Sequence, residues 1–132
     1  MKPTLALLSG AIALVALTSA HADRKYEGIL EDNGRNVPIL LSISQTLKLG
    51  ENAGTIRFNG DWKCGFALEF AGTVGKVNSY SLQGPGPGRC TTLVSGYLRK
   101  RSGTDGLQIE VLNKANDTVY DFTLRRAGLR DG

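Results

Sequence analysis

Trp62-Lys63-Cys64-Gly65-Phe66-Ala67-Leu68-Glu69-Phe70 is the stretch that decides the fold. Large apolar residues or cysteine occupy every second position, and small or polar residues stand between them. Successive side chains of a β-strand point to opposite faces, so this period of two predicts a strand with one face in the core. Gly65 and Ala67 on the other face leave room for the close approach of a neighbour.

Short strands are predicted on both sides of this stretch, with glycine-rich turns about every 8–12 residues. The predicted strands are residues 26–30, 37–44, 55–58, 62–70, 77–82, 90–100, 107–111 and 119–124. Connections this short join antiparallel neighbours. The sequence therefore predicts an all-β fold, a small antiparallel meander of about eight strands. A closed or partly open barrel is favoured because closure removes exposed strand edges, and a two-sheet sandwich is the alternative.

The first 22 residues have the pattern of a cleaved signal peptide. A positive start, Met1-Lys2-Pro3, precedes an apolar run at 5–17, and Ala20-His21-Ala22 is a typical cleavage site. The apolar run is shorter than the ~20 residues that span a bilayer. We expect a periplasmic or secreted protein that has no transmembrane segment after cleavage. Residues 23–132 are predicted to form a single domain, with a frayed tail at 127–132.

Cys64 and Cys90 are the only cysteines, and an oxidising compartment favours their pairing. In a meander, two strands that flank a third lie about 9–10 Å apart, which is too far for a disulfide. Cys64 lies near the start of the fourth predicted strand, and Cys90 opens the sixth. Both positions are at the same end of the sheet, where the fifth strand has already stopped, so the bridge can close beneath that end, beside the glycine–proline loop at 84–88. Two facing sheets of a sandwich would also permit the bridge.

The residue inventory argues against catalysis. The only histidine, His21, lies in the predicted signal peptide, which removes histidine-based acid–base chemistry and most zinc sites. A disulfide leaves no thiolate nucleophile, and no phosphate-binding loop or calcium loop is evident. We therefore expect no enzyme activity, no cofactor and no metal. Carboxylates are the remaining route to catalysis, and the acids considered are Glu27, Glu31, Asp61, Glu69, Glu110 and Asp121.

Five residues are candidates for binding. Arg89 ends the segment Gly84-Pro85-Gly86-Pro87-Gly88-Arg89, which could present it on a stiff loop or could be only a wide connection. Arg99, Lys100 and Arg101 are predicted to lie at a hairpin tip, either as an anion-binding cluster or as a solvated strand end. Trp62 could stack on a ligand or close one end of the core.

The net charge of the chain indicates the class of partner that it binds. Loss of Lys2 with the signal peptide lowers the formal charge from +4 to +3, which is too little for a nucleic-acid binder. We expect a protein partner with an acidic surface, with an anionic glycan or a lipid headgroup as the other options.

The function that these observations favour is an exported, non-catalytic binding module that recognises another envelope or secreted protein, in the manner of an inhibitor or an immunity protein. The first alternative is a carrier of a small apolar ligand, built as a lipocalin-like barrel. Large side chains at Trp62, Phe66, Phe70 and Phe122 would fill such an interior. The second alternative is a carboxylate-dependent glycan hydrolase.

Overall fold

A computed structural model describes residues 23–128 of the chain. The predicted signal peptide (1–22) and the last four residues of the predicted tail (129–132) lie outside the described residues. Ala127, the first residue of that tail, donates its backbone N–H to the carbonyl oxygen of Lys25 at 2.8 Å.

Eight antiparallel strands form a closed barrel in the order β1 to β8, in which each strand pairs with the next and β8 returns to pair with β1. The strands are β1 Arg24–Asp32, β2 Arg35–Ile43, β3 Asn52–Phe58, β4 Cys64–Val74, β5 Val77–Gln83, β6 Tyr97–Gly103, β7 Gly106–Leu112 and β8 Thr118–Arg126. The predicted all-β meander is confirmed, and it closes as a barrel, not as a two-sheet sandwich.

Alternating side chains fill the inside of this barrel. An eight-stranded barrel is just wide enough for inward side chains to pack against one another. Fully buried residues come from every wall of the barrel, among them Leu41, Ile56, Leu68, Leu98 and Ile109. Tyr80 and Phe58 are the largest of the fully buried side chains. The inward face of β4 follows the period of two, with Phe66, Leu68 and Phe70 all buried.

The closing seam between β1 and β8 depends on Gly28. A Cβ at this position would come within 2.8 Å of the Thr123 carbonyl oxygen and of Leu124 Cδ2. Glycine therefore lets the two strands approach closely where they cross. Just beyond the crossing, Tyr26 pairs with Arg126 and Glu27 with Arg125.

The two ends of the barrel differ in what covers them. We call one the plugged end; it carries the connections at 33–34, 59–63, 84–96 and 113–117. We call the other the basic end; it carries the connections at 44–51, 75–76 and 104–105, together with the first residues of β1 and the last of β8. Within residues 23–128, no helix is long and apolar enough to cross a membrane.

Two predicted strands begin at residues that do not belong to a strand in the structure, and both of these residues lie at the plugged end. The first half of the sixth predicted strand, from Cys90, is a 3₁₀-helix, Gly88–Leu93, and β6 begins only at Tyr97. The Thr91 hydroxyl donates to the carbonyl oxygens of Gly86 (3.0 Å) and Gly88 (2.7 Å), which stabilises this turn over an extended strand.

Trp62 also lies outside the strand that it was predicted to begin. The Trp62 N–H donates to the Asn59 carbonyl oxygen at 3.3 Å, which closes a turn. Lys63 then has a φ of 45°, a left-handed conformation that interrupts extended backbone. As a result β4 starts at Cys64.

Candidate functional site

A concave feature lies on the outer wall of the barrel, across β5, β6, β7 and β8. It is a groove of about 720 Å³, which we call the wall groove. Outward side chains of the four strands and of the β4–β5 hairpin line it, and three inward-facing positions also border it. The first group is Val74, Val77, Ser79, Arg99, Arg101, Gln108, Glu110, Asp121 and Thr123, and the second is Lys100, Ile109 and Phe122.

Strand register brings two arginines into this groove. Arg99 lies opposite Glu110, and Arg101 lies opposite Gln108 on the neighbouring strand. Arg99 Nη1 is 3.6 Å from Glu110 Oε1, and Arg101 Nη2 donates to Gln108 Oε1 at a long 3.4 Å. Exposed pairs of this kind contribute about 0–1 kcal/mol, so both guanidinium groups can exchange these partners for a ligand at little cost.

Two carboxylates face each other in the same groove. Glu110 on β7 lies directly opposite Asp121 on β8. The Thr118 hydroxyl donates to Glu110 Oε2 at 2.7 Å, so Glu110 is held by Thr118 on one oxygen and by Arg99 near the other. The groove thus presents positive charge along β6 and negative charge across β7 and β8.

The basic run Arg99-Lys100-Arg101 is split by the strand. The run lies within β6 and not at the hairpin tip, so that part of the prediction is wrong: the turn is at residues 104–105. Alternation sends Arg99 and Arg101 outward. Lys100 lies opposite Ile109, whose side chain is buried in the core, so Lys100 faces the inside of the barrel at the basic end.

Lys100 is a half-buried cation beside a second cation. Desolvation by burial, and then the positive charge of Arg24, lower the pKa of Lys100 below its ordinary value. The charged ammonium is therefore less stable in the folded protein than in the unfolded chain. Arg24 itself contacts Gln45: Nη1 and Nη2 both lie 3.1 Å from the side-chain oxygen when the amide is turned so that the oxygen faces these donors.

We predict that Lys100→Met raises the free energy of unfolding at pH 7, because methionine keeps the aliphatic packing and removes the disfavoured charge. At pH values above the lowered folded pKa and below 10.5, the ordinary value, the unfolded chain binds more protons at Lys100 than the folded protein does. Wild-type stability should therefore rise with pH in this window relative to the variant. Urea unfolding of both proteins at pH 7 and pH 10 checks this, and a gap that widens at pH 10 would contradict it.

Trp62 lies in the core at the plugged end. It is 6% exposed, and its ring packs against Phe58 and edge-on to Tyr120, each with ring centroids 5.4 Å apart. This arrangement closes the barrel between the β3–β4 connection and β8. Of the two interpretations of Trp62, closure of one end of the core matches its observed position.

Arg89 lies at the same end, on the 3₁₀-helix. Its Nη1 is 3.7 Å from Asp32 Oδ2 at the end of β1, and Asp32 is the less exposed of the two partners. Burial raises the pKa of Tyr120, the Asp32 carboxylate adds to the rise, and Arg89 opposes it. Arg89 thus forms a long ion pair between the 3₁₀-helix and β1, and its side chain remains half exposed to solvent.

The predicted disulfide is confirmed. Cys64 and Cys90 are bonded, with Cα atoms 6.2 Å apart, and the bridge lies at the plugged end beside the glycine–proline loop, as predicted. It joins the start of β4 to the 3₁₀-helix. Gly86 in that loop is tightly packed: a Cβ there would come within 2.5 Å of the Cys90 carbonyl oxygen and 2.8 Å of Phe66 Cζ.

The five candidate residues thus fall into three places. Arg99 and Arg101 share the wall groove, Lys100 lies at the mouth of the basic end, and Arg89 and Trp62 lie at the plugged end. Sequence reasoning missed the other groove residues, Ser79, Gln108 and Thr123, because they are isolated polar residues on three different strands. Only the pairing of those strands brings them together.

Among residues 23–128, no group of three or more His, Cys, Asp or Glu side chains is arranged to hold a metal ion. Comparison with known protein families, with curated proteins and with solved structures finds no match for this chain.

Proposed function

We propose that this chain is an exported, non-catalytic binding module that recognises another envelope or secreted protein through the wall groove, as an inhibitor or an immunity protein would. The observation that carries the proposal is the groove itself, about 720 Å³ on the outer wall, with Arg99 and Arg101 on one side and Glu110 and Asp121 on the other. A groove with both charge signs can orient a protein segment by electrostatic complementarity.

The filled interior supports recognition on the outside. Inward-facing residues of the barrel strands, such as Leu68, Leu98 and Ile109, are fully buried in the core. An apolar ligand would have to displace these side chains, each of which contributes about 1.5–3 kcal/mol by its burial. The carrier alternative is therefore the weaker proposal.

Barrel closure determines how recognition would work. Each strand of the barrel pairs with a neighbour on both sides, with β1 and β8 paired only at Tyr26–Arg126 and Glu27–Arg125, so a partner strand finds little free edge to extend. Contact then depends on side chains, and arginine is the residue best suited to bind carboxylates in two-point hydrogen bonds. We therefore expect the partner to place an acidic side chain between Arg99 and Arg101.

We predict that Arg99→Gln/Arg101→Gln weakens binding of this partner by about 100-fold, because two central arginines of an interface commonly contribute more than 1 kcal/mol each. Immobilised wild-type protein and the double variant are compared for capture from an envelope fraction at several salt concentrations. Arg57→Gln is the matched control, since Arg57 is exposed on β3, outside the strands that line the groove.

The proposal expects a discrete protein that is retained by the wild type and by Arg57→Gln and lost from the double variant at equal salt. Capture of the same proteins by all three would count against the groove. Retention of nothing beyond nonspecific background at every salt concentration would count against protein recognition altogether.

A carboxylate-dependent glycan hydrolase is the second candidate, and the facing pair Glu110 and Asp121 favours it. The contacts of Glu110 with Arg99 and Thr118 are typical of a structural carboxylate, so we rank this candidate lower. Turnover of peptidoglycan that disappears in Glu110→Gln would reverse the ranking.

A further inference from the structure

Large aliphatic side chains are exposed together at the basic end. Leu47 is 68% exposed, Leu49 73% and Val74 80%. Single exposed aliphatic residues are common on soluble proteins, but a cluster on one face marks a contact surface. Here the first two lie in the β2–β3 loop and the third at the β4–β5 turn, so two separate connections present apolar side chains at the same end.

The β2–β3 loop holds its leucines in a defined position. The Gly50 N–H donates to the Phe70 carbonyl oxygen at 2.9 Å, which fastens the loop to β4. Inside the loop, the Thr46 hydroxyl donates to Glu51, and the Lys48 N–H donates to the Thr46 hydroxyl oxygen at 3.3 Å. The loop is therefore a fixed platform from which Leu47 and Leu49 project into solvent.

Basic residues surround these leucines. Lys48 lies between them in the sequence, and Lys76 lies in the β4–β5 turn. Arg24 and Arg126 lie on the first and last strands at the same end, and the guanidinium carbon of Arg126 is 6.0 Å from the Tyr26 ring centroid. Lys100 faces the mouth of the barrel between them.

The acidic residues at this end are fewer, and hydrogen bonds within the protein engage two of them. Asp23 accepts from the Ser42 hydroxyl at 3.2 Å, and Glu51 accepts from Thr46. No ion pair within 4 Å involves Arg24, Lys48, Lys76 or Lys100 in the part of the chain that the structure describes. The basic end therefore carries more positive charge than Asp23, Glu51 and Asp105 balance, next to exposed aliphatic groups.

We propose that the basic end docks on the surface of an anionic lipid bilayer, with Leu47 and Leu49 inserted among the headgroups and the surrounding lysines on lipid phosphates. Interfacial binding combines buried apolar area with attraction to anionic lipid, and this end supplies both. A soluble anion would use the charges and leave the leucines exposed, so the apolar platform favours a membrane surface. Val74 and Lys100 border both this surface and the wall groove, whereas Leu47, Leu49, Lys48 and Lys76 do not line the groove. Variants at these last four residues therefore test the basic end separately from the groove.

The test is sedimentation of the protein with vesicles of phosphatidylglycerol and phosphatidylcholine, against vesicles of phosphatidylcholine alone. We expect partitioning into the anionic vesicles only. Lys48→Gln/Lys76→Gln should lower the partition coefficient by about 25-fold, since each basic residue near an anionic surface contributes about 1 kcal/mol, or fivefold. Leu47→Ser/Leu49→Ser should lower it by about 150-fold or more, since each leucine that leaves water contributes at least about 1.5 kcal/mol.

Two matched variants serve as controls. Lys63→Gln/Lys114→Gln removes the same charge at the plugged end, and Ile29→Ser removes an aliphatic group that is 55% exposed on β1, away from the basic-end loops. Both should bind vesicles like the wild type. An equal loss of binding in these controls would overturn the assignment of the docking surface to the basic end.

Other outcomes of this test distinguish a lipid surface from a small anion and from a protein partner. Absence of binding to anionic vesicles overturns the proposal. Displacement by free glycerol phosphate, with Leu47→Ser/Leu49→Ser binding like the wild type, would show a small-anion site and also overturn it. A captured protein that is lost from the leucine variant, with vesicle binding absent, would assign the surface to a protein partner instead. Failure of the groove experiment alone leaves these readouts unchanged.

Discussion

Replacing Trp62 with alanine is expected to lower the free energy of unfolding by about 3–5 kcal/mol, the usual cost of removing a buried aromatic side chain. The indole is 6% exposed and packs between Phe58 and Tyr120, so its loss leaves a cavity at the plugged end. The surrounding backbone cannot easily collapse into this space, because the disulfide between Cys64 and Cys90 holds the neighbouring segments in place.

Trp62→Phe is the matched variant, and urea unfolding followed by circular dichroism is the measurement. Phenylalanine keeps an aromatic contact with both neighbours, so it should recover more than half of the loss. A loss below about 1 kcal/mol for Trp62→Ala, a value typical of surface substitutions, would contradict the core assignment and would favour a role for Trp62 in stacking on a ligand.

Removing the disulfide, by Cys64→Ala/Cys90→Ala, is expected to lower the free energy of unfolding by about 3.5 kcal/mol in the chain-entropy model. The two cysteines are 26 residues apart, so the bridge constrains the whole of β4, β5 and the following loop in the unfolded chain. For a small domain this is a large fraction of the total stability, which is about 5–15 kcal/mol.

The double variant should also show where the bridge acts in the folded state. Amide hydrogen exchange should accelerate most in the segment 84–96, because the 3₁₀-helix then loses its covalent link to β4 and is held by local hydrogen bonds, the buried Leu93 and the Arg89–Asp32 ion pair. Wild type under reducing agent should behave in the same way. Equal unfolding midpoints for the oxidised and reduced proteins would contradict this account of the plugged end.

Period-two alternation was sufficient to predict the barrel strands. In β4, Phe66, Leu68 and Phe70 alternate with small or polar residues, and burial on one face is the only arrangement that removes all three from water. The disulfide was predictable for a similar reason: the short turns of a meander bring residues 64 and 90 to the same end. Whether the sheet closes as a barrel or folds as a sandwich depends on the β1–β8 seam. Gly28 lets these two strands approach closely, and no local sequence pattern predicts their pairing.

The wrong strand boundaries came from an alternation of residue types that also occurs outside strands. Cys90, Thr92 and Val94 imitate a period of two, but the Thr91 hydroxyl bonds turn the chain into a 3₁₀-helix. The wall groove could be predicted only in part. The basic run at 99–101 is evident from the sequence. The strand register determines which of its side chains face outward. The remaining lining residues are brought together only by long-range strand pairing.

The most direct test of the central claim, recognition through the outer wall, is photo-cross-linking in the producing cells. The photoreactive amino acid p-benzoylphenylalanine replaces Gln108 inside the wall groove, and in a second protein it replaces Arg57 on β3. We expect one dominant cross-linked protein from position 108, absent from position 57 and reduced by Arg99→Gln/Arg101→Gln. The same products from both positions, or no discrete product from position 108, would contradict it.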